Sequence, residues 1–327
     1  MEIKNILLIG AGQIGSRHLQ ALAKIDFPIS ILVIDPSEDS LRRSKERYEE
    51  ITSNGKVITI KFSQNMDFLP SEVDLCIVAT ATNVRAKVIK EIMTHRKIKY
   101  FLLEKVLFQS LAEYKEISAL FKANRTKAWV NCPRRIMPFY QGLKDIFSKD
   151  KIIFLTVSGG NWGLGSNLIH YLDYFSYLVG KSNFKLKRFT LDQRVFPSKR
   201  AGFNELSGSF FAGNPGGSQM ILFSNPDSYA PTIETIQCNS AYVIIDDRNK
   251  KVIIAREENN WQPETRDFII PFQSDLTQQV VKEILTTGTC GLTYFSESSR
   301  LHQFFLKELI KHQKRINGGN NDFCNIT

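Results

Sequence analysis

The stretch Ile6-Leu-Leu-Ile-Gly10-Ala-Gly12-Gln-Ile-Gly15 decides how this chain is read. Four apolar residues suit a buried strand, and three glycines follow in the spacing G-x-G-x-x-G. From Ser16 to Lys24 the apolar residues Leu19, Leu22 and Ala23 recur with a helical period. Strand, glycine turn and helix, in that order, are the context in which this fingerprint holds a dinucleotide. Gly10 permits the tight turn, Gly12 lets the backbone approach a pyrophosphate, and Gly15 lets the helix lie close to the strand. Gln13 and Ile14 then open the helix, where unpaired N–H groups and a partial positive charge favour phosphate.

A glycine turn alone is weak support, and two further features strengthen it. A second apolar run, Ile29 to Ile34, ends in Asp35, twenty residues after Gly15. A carboxylate at that place meets the adenosine ribose. It repels a 2′-phosphate, so NAD is expected over NADP, unless Arg42 and Arg43 fold back toward the ribose. The run Val73 to Ala79 begins the second half of such a fold. The bland alternative is a doubly wound fold whose glycine turn binds nothing.

At 327 residues the chain has room for two domains. No apolar run approaches a membrane span. The first strand starts almost at Met1, leaving no room for a signal peptide, so a cytoplasmic location is expected. The five cysteines, at 76, 132, 238, 290 and 324, show no C-x-x-C spacing, so neither a metal site nor a disulfide framework is expected. The net charge of +10 is spread along the chain without aromatic interleaving. That favours an anionic small molecule over nucleic acid as partner.

Residues 1–126 alternate between strand and helix, with strands over 4–9, 29–34, 57–61, 73–79, 99–104 and 127–131 and helices over 14–25, 37–52, 84–94 and 110–123. This predicts a parallel sheet covered on both faces. Residues 127–316 read as a second, α+β domain. After a helix over 138–148 it has strand-like runs over 152–158, 184–191, 205–212, 217–223, 232–238 and 241–246. Short turns join several of them, which predicts a largely antiparallel sheet. Helices over 275–287 and 296–315 close the chain, and 317–327 reads as a frayed polar tail.

Several separated segments resemble the Gfo/Idh/MocA oxidoreductases, the glucose–fructose oxidoreductase and inositol dehydrogenase group. They are Gly10 to His18, Val78 to Asn83, Glu104-Lys-Val106, Asn131-Cys-Pro-Arg-Arg135 with Pro138, Ile169-His-Tyr-Leu-Asp173, and Leu292 to Ser299 with His302. The resemblance spans nearly the whole chain in the right order. It implies an N-terminal Rossmann domain, a C-terminal α/β domain with an open antiparallel sheet, and NAD(P)-dependent redox chemistry on a sugar-like alcohol. It also implies homo-oligomers built through the open sheet. Two positions depart from the pattern. Val106 stands where proline is usual, and Ser166 stands where an acidic residue usually precedes the histidine by four.

The candidate site residues follow. Lys105, with Glu104 before it, leaves a strand at the carboxyl end, where ligands of parallel sheets sit. Read alone, Lys105 is either a solvated strand end or a proton-transfer group; the resemblance favours the second. Burial beside a nicotinamide cation would then favour its neutral form. His170 and Asp173 share a helix face with Asn167, as a cleft wall or as a satisfied core pair. Gly163 and Gly165 would let the preceding turn approach a ligand. Thr80, Thr82 and Asn83 follow another strand's carboxyl end and would line the nicotinamide ribose, unless they serve only the turn. Arg134 and Arg135 would hold an anionic substrate group or stand solvated.

The expected activity is hydride transfer between nicotinamide and a sugar, amino sugar, sugar acid or sugar nucleotide. Lys105 and His170, from different domains, would carry the proton. Two alternatives stand beside it: redox-neutral elimination or glycoside cleavage that uses NAD transiently, and a non-catalytic dinucleotide-binding sensor.

Overall fold

The computed structural model describes residues 2–319 and 321–327. The chain divides into two compact units, the first made of Met1–Pro133 with Pro271–Ser299, the second of Arg134–Ile270 with Arg300–Thr327. The first unit thus runs past residue 126 to Pro133, and a later segment returns to it.

The first unit alternates β1 (Lys4–Ile9), α1 (Gln13–Leu22), β2 (Ile29–Ile34), α2 (Glu38–Glu49), β3 (Val57–Ser63), β4 (Glu72–Val78), α3 (Thr82–His95), β5 (Lys97–Glu104), α4 (Leu111–Ala123) and β6 (Lys127–Asn131). These six strands pair in parallel in the order β6-β5-β4-β1-β2-β3. Leu75, Cys76, Ile77 and Val78 are fully buried, as strands covered on both faces require. Local chemistry sets the helix starts. Ser37 caps α2, and Ser110 and Glu113 form a reciprocal capping box on α4.

Strand β6 carries the first unit past residue 126, and the returning segment adds a helix and a strand to it. Helix α7 (Gln273–Thr287) packs on α1, where Gln278 donates to the Lys24 carbonyl at 2.8 Å and Lys24 pairs with Asp275 at 2.9 Å. Strand β17 (Thr293–Tyr294) then adds antiparallel to β6. An amphipathic helix reports that it has a buried face, not which helix covers it.

The second unit enters through a 3-10 turn, Pro133–Ile136, then α5 (Pro138–Ile146), β7 (Phe154–Gly159) and α6 (Leu164–Val179). Next come β8 (Lys185–Leu191), β9 (Phe196–Pro197), β10 (Asn204–Glu205), β11 (Gly208–Gly213), β12 (Gln219–Ser224), β13 (Ile233–Gln237), β14 (Ala241–Asp246), β15 (Lys251–Arg256) and β16 (Glu264–Asp267). Eight of these strands form a sheet in the order β16-β15-β14-β13-β7-β12-β11-β8. All its pairs are antiparallel except β12 with β7. Burial alternates along β12, with Met220, Leu222 and Ser224 inward and Ile221 and Phe223 outward. The single strand expected over 205–212 is two. Gly208, at φ +136°, breaks it, and a side chain there would collide with the Thr190 carbonyl.

Helix α8 (Phe295–Asn317) runs on into a tail that is anchored, not frayed. Cys324 and Ile326 are fully buried, Asn204 donates its amide to the Asn325 carbonyl at 2.8 Å, and Asn325 Nδ2 donates to the Gly202 carbonyl at 2.9 Å. Two apolar side chains spaced by one residue, and a strand edge ready to bond, outweigh the polar composition before them.

Candidate functional site

The glycine turn is built as its spacing predicts. Gly10 sits at φ +95°, and a Cβ there would lie 2.8 Å from the Ala79 carbonyl carbon. A Cβ on Gly15 would overlap the Gly10 carbonyl oxygen, so α1 lies against β1 only because the residue is glycine. Gly12 differs, because a Cβ there would meet nothing within 4 Å. Its backbone faces open space at the start of α1, where Gln13 and Ile14 are exposed and no acidic side chain offsets the helix end. That is a cradle for an anion.

Asp35 stands at the end of β2, as expected. Its Oδ2 accepts from the Ala11 amide at 2.7 Å and its Oδ1 from the Ser37 amide at 2.8 Å. Each oxygen keeps a second lone pair for a ribose hydroxyl. Arg42 does not fold back toward it. It is held on the exposed face of α2 by Asp39 at 3.1 Å and Glu46 at 3.0 Å. Thr80 follows β4, and its hydroxyl is buried with no hydrogen-bond partner, a group that a bound ligand could satisfy. Thr82 is fully buried in the first turn of α3, and Asn83 beside it is exposed.

Lys105 leaves the carboxyl end of β5, and the Lys105–Val106 bond is cis. Buried Arg85 fixes this corner. Its guanidinium donates to the carbonyls of Glu104 at 2.7 Å and Leu107 at 3.0 Å, and also to those of Val106 and Thr80. Glu104 turns its carboxylate inward, where Oε1 accepts from His18 Nε2 at 2.8 Å and Asn131 Nδ2 at 2.6 Å. Burial pushes this carboxyl up, but the His18 and Asn131 bonds and the nearby Arg85 charge outweigh it and hold it below the usual carboxylate range. Arg85, His18 and Asn131 were not among the expected site residues. Arg85 carries no local signal, since a lone arginine in a helix reads as a solvated charge.

In the second unit, α6 is buried nearly throughout. Asn167 and His170 are half-open, and Asp173 is fully buried. Arg135 grips Asp173, with Nε to Oδ2 at 2.9 Å and Nη2 to Oδ1 at 3.3 Å. Arg134 bonds Glu234 at 2.9 Å and lies 4.1 Å above the Tyr171 ring. Both arginines thus have their charges met inside the unit, and an anionic ligand would compete with Glu234 and Asp173 for them. Burial raises the Glu234 carboxyl to about 7, with Asp247 adding to the rise against the attraction of Arg134. Asn167 Nδ2 donates to the carbonyls of Trp162 at 2.9 Å and Gly163 at 3.1 Å, holding the turn before α6.

Gly163 and Gly165 serve a different purpose from the expected ligand approach. Added Cβ atoms would lie 2.7 Å from Glu205 Oε2 and Oε1 respectively, so the two glycines clear space for the Glu205 carboxylate. Glu205 accepts from the Ser166 amide at 3.0 Å and from its hydroxyl.

A strand–glycine turn–helix with an acid at the end of the next strand defines a dinucleotide-binding Rossmann domain. Comparison bears this out, since residues 4–132 match the family described as "Oxidoreductase family, NAD-binding Rossmann fold", the Gfo/Idh/MocA family. The N-terminal domain is of that NAD(P)-binding oxidoreductase type. No curated protein matches the chain in sequence. Among solved structures, the chain resembles UDP-N-acetylglucosamine 3-dehydrogenase GnnA from Acidithiobacillus ferrooxidans at 17% identity and TM-score 0.67, covering 94% of this chain and 97% of that one. An oxidoreductase from Agrobacterium radiobacter, in complex with NAD+, L-tartaric acid and magnesium, is similar at 14% identity and TM-score 0.70, with 98% of each chain covered. KijD10, a 3-ketoreductase from Actinomadura kijaniata in complex with NADP and TDP-benzene, is similar at 13% identity and TM-score 0.67, covering 92% of this chain and 95% of that one. At such identities the likeness is one of fold. Among the described residues no helix is long and apolar enough to cross a membrane, and no cluster of His, Cys, Asp and Glu could hold a metal ion.

Proposed function

We propose that this protein is an NAD(P)-dependent oxidoreductase that moves a hydride between nicotinamide and a CH–OH carbon of a sugar. A sugar nucleotide is the favoured substrate class, and NAD the favoured cofactor. The observation that carries this reading is the open backbone at Gly12, set before an uncompensated helix start and beside Asp35. When bound, the cofactor supplies the hydride acceptor or donor. Gly10, Gly12, Gln13, Ile14 and Gly15 hold its phosphates, Asp35 its adenosine ribose, and Thr80 and Asn83 its other ribose.

Lys105 and His170 are the proposed proton-handling groups, and Asn167, Asp173, Arg134 and Arg135 shape the substrate side. Two of the similar structures bear the names of a UDP-sugar dehydrogenase and a ketoreductase crystallised with a TDP derivative, which supports the sugar-nucleotide class. The preference for NAD rests on Asp35 and on Arg42 being held elsewhere. We also propose that copies of the chain associate through the outer face of the second sheet, where Phe154, Ile221 and Phe223 are exposed.

Calorimetry with NADH and NADPH, followed by turnover on UDP- and TDP-sugars and on neutral sugars, tests the reading. Tighter binding of NADPH overturns the role of Asp35. Tight NADH binding with no turnover on any sugar favours a sensor, and product formation without net NADH favours redox-neutral cleavage.

A further inference from the structure

We infer that Glu205 is a positioning residue for His170, placing a carboxylate charge at the start of α6 that raises the proton affinity of that imidazole. The inference deepens the proposed function, because it rests on His170 handling a proton there. Ser166 and His170 are spaced i, i+4, so they lie on one face of α6, about 6 Å apart at Cβ. Ser166 is neutral, but it does not stand alone. Glu205 arrives from β10 and accepts from the Ser166 amide at 3.0 Å, from the Ser166 hydroxyl and from its neighbour Leu206's amide at 3.0 Å.

Both Glu205 and Ser166 are more than nine-tenths buried. The arrangement is specific, since Gly163 and Gly165 each leave out a Cβ that would press on a carboxylate oxygen. The tail supports it from behind, with Asn325 paired to Asn204 and Ile326 3.4 Å from the Gly165 Cβ position. The buried Cys324 thiol is pushed up by burial, and the Glu205 charge adds to the rise.

Among the described residues, Arg134, Arg135 and Lys144, packed on α6, have partners of their own. Arg135 is on Asp173, Arg134 is on Glu234 and lies over Tyr171 and Tyr140, and Lys144 of α5 lies over Tyr177. Strand β12, packed on the same helix, carries no ionisable side chain. Glu205 is therefore the carboxylate on the Ser166 turn of α6. An anion one turn away favours the imidazolium form, which makes the neutral ring a stronger base.

A carboxylate can also act purely as a helix cap, so the test separates charge from hydrogen bonding. Glu205→Gln keeps an acceptor for the Ser166 amide and removes the charge. Read by NMR of the His170 ring in the protein without substrate, its titration midpoint should fall by about half a pH unit or more. Gly165→Ala keeps every charge and pushes the carboxylate off α6, and should shift the midpoint in the same direction. It decides the matter should Glu205→Gln fail to fold. An unchanged His170 midpoint in a folded variant overturns the inference and leaves Glu205 as a cap. Placing a carboxylate directly on the helix, in Ser166→Asp with Glu205→Gln, should restore the wild-type midpoint. Turnover is read separately: a wild type inactive on every sugar overturns the proposed function, while the His170 titration still decides the role of Glu205.

Discussion

His18 Nε2 lies 2.8 Å from Glu104 Oε1, both of them buried, one residue before Lys105. The other ring nitrogen lies 2.8 Å from Thr277 Oγ1, which also accepts from Gln273 Nε2 at 3.0 Å. Helix α1, strand β5 and helix α7 meet at this one imidazole.

Replacing it should be costly. His18→Leu leaves Glu104 Oε1 with Asn131 as its remaining donor in a buried place, a loss of about 1–3 kcal/mol. Thermal unfolding at neutral pH should come several degrees earlier. The folded Glu104 carboxyl is held below its ordinary value, so its contribution is present above that value and lost as pH falls through the folded one. The gap between variant and wild type should therefore narrow in acid. A gap that widens there removes the charge-based account.

Glu234 runs the other way. Its carboxyl is raised from 4.5 to about 7, so its stabilising effect is complete below 4.5 and lost as pH rises through 7. That swing is on the order of 3 kcal/mol. Glu234→Gln should lack it, so the variant should gain on wild type steadily between pH 4.5 and 8 in chemical denaturation. Parallel pH profiles for the two proteins would refute the assignment.

Two glycines should fail differently. Gly12→Ala meets open space and should fold with wild-type stability, yet weaken NADH binding at least about tenfold by blocking the pyrophosphate. Gly15→Ala collides with the Gly10 carbonyl and should lower the melting temperature as well. Normal NADH affinity in Gly12→Ala would remove the cradle from the proposal.

Lys105→Met should bind NADH nearly as wild type does and turn over roughly 100- to 10,000-fold more slowly, the range for a positioned acid or base. Near-normal turnover would mean that the proton takes another path.

The outer sheet face gives a test in solution. Ile221→Lys together with Phe223→Lys changes two exposed side chains on β12 and no buried one. Sedimentation should show a smaller species than wild type, with NADH binding retained. An unchanged species would place any association elsewhere.

What the sequence disclosed was local. The glycine turn, Asp35 and the end of β5 are each read from a short run of their own sequence, and each lies at the strand end that its run marks. Glu205 was invisible because it lies 39 residues from Ser166, and nothing in the short run Asn204–Glu205 marks it as a helix partner. The fate of Arg134 and Arg135 was hidden for the same reason, since Glu234 and Asp173 reach them only through the fold. Helix α7 was legible as a helix, but its return to the first unit was not.

That return has a consequence for synthesis. The nucleotide-binding half cannot finish when Pro133 is made, because residues 271–299 supply the neighbour of α1 and an edge of its sheet. At roughly 5–20 residues per second, the nascent chain waits on the order of ten seconds while the intervening segment is translated. During that interval the α1 surface that α7 will cover stays wet, and the newborn protein is exposed there to chaperones and to other chains.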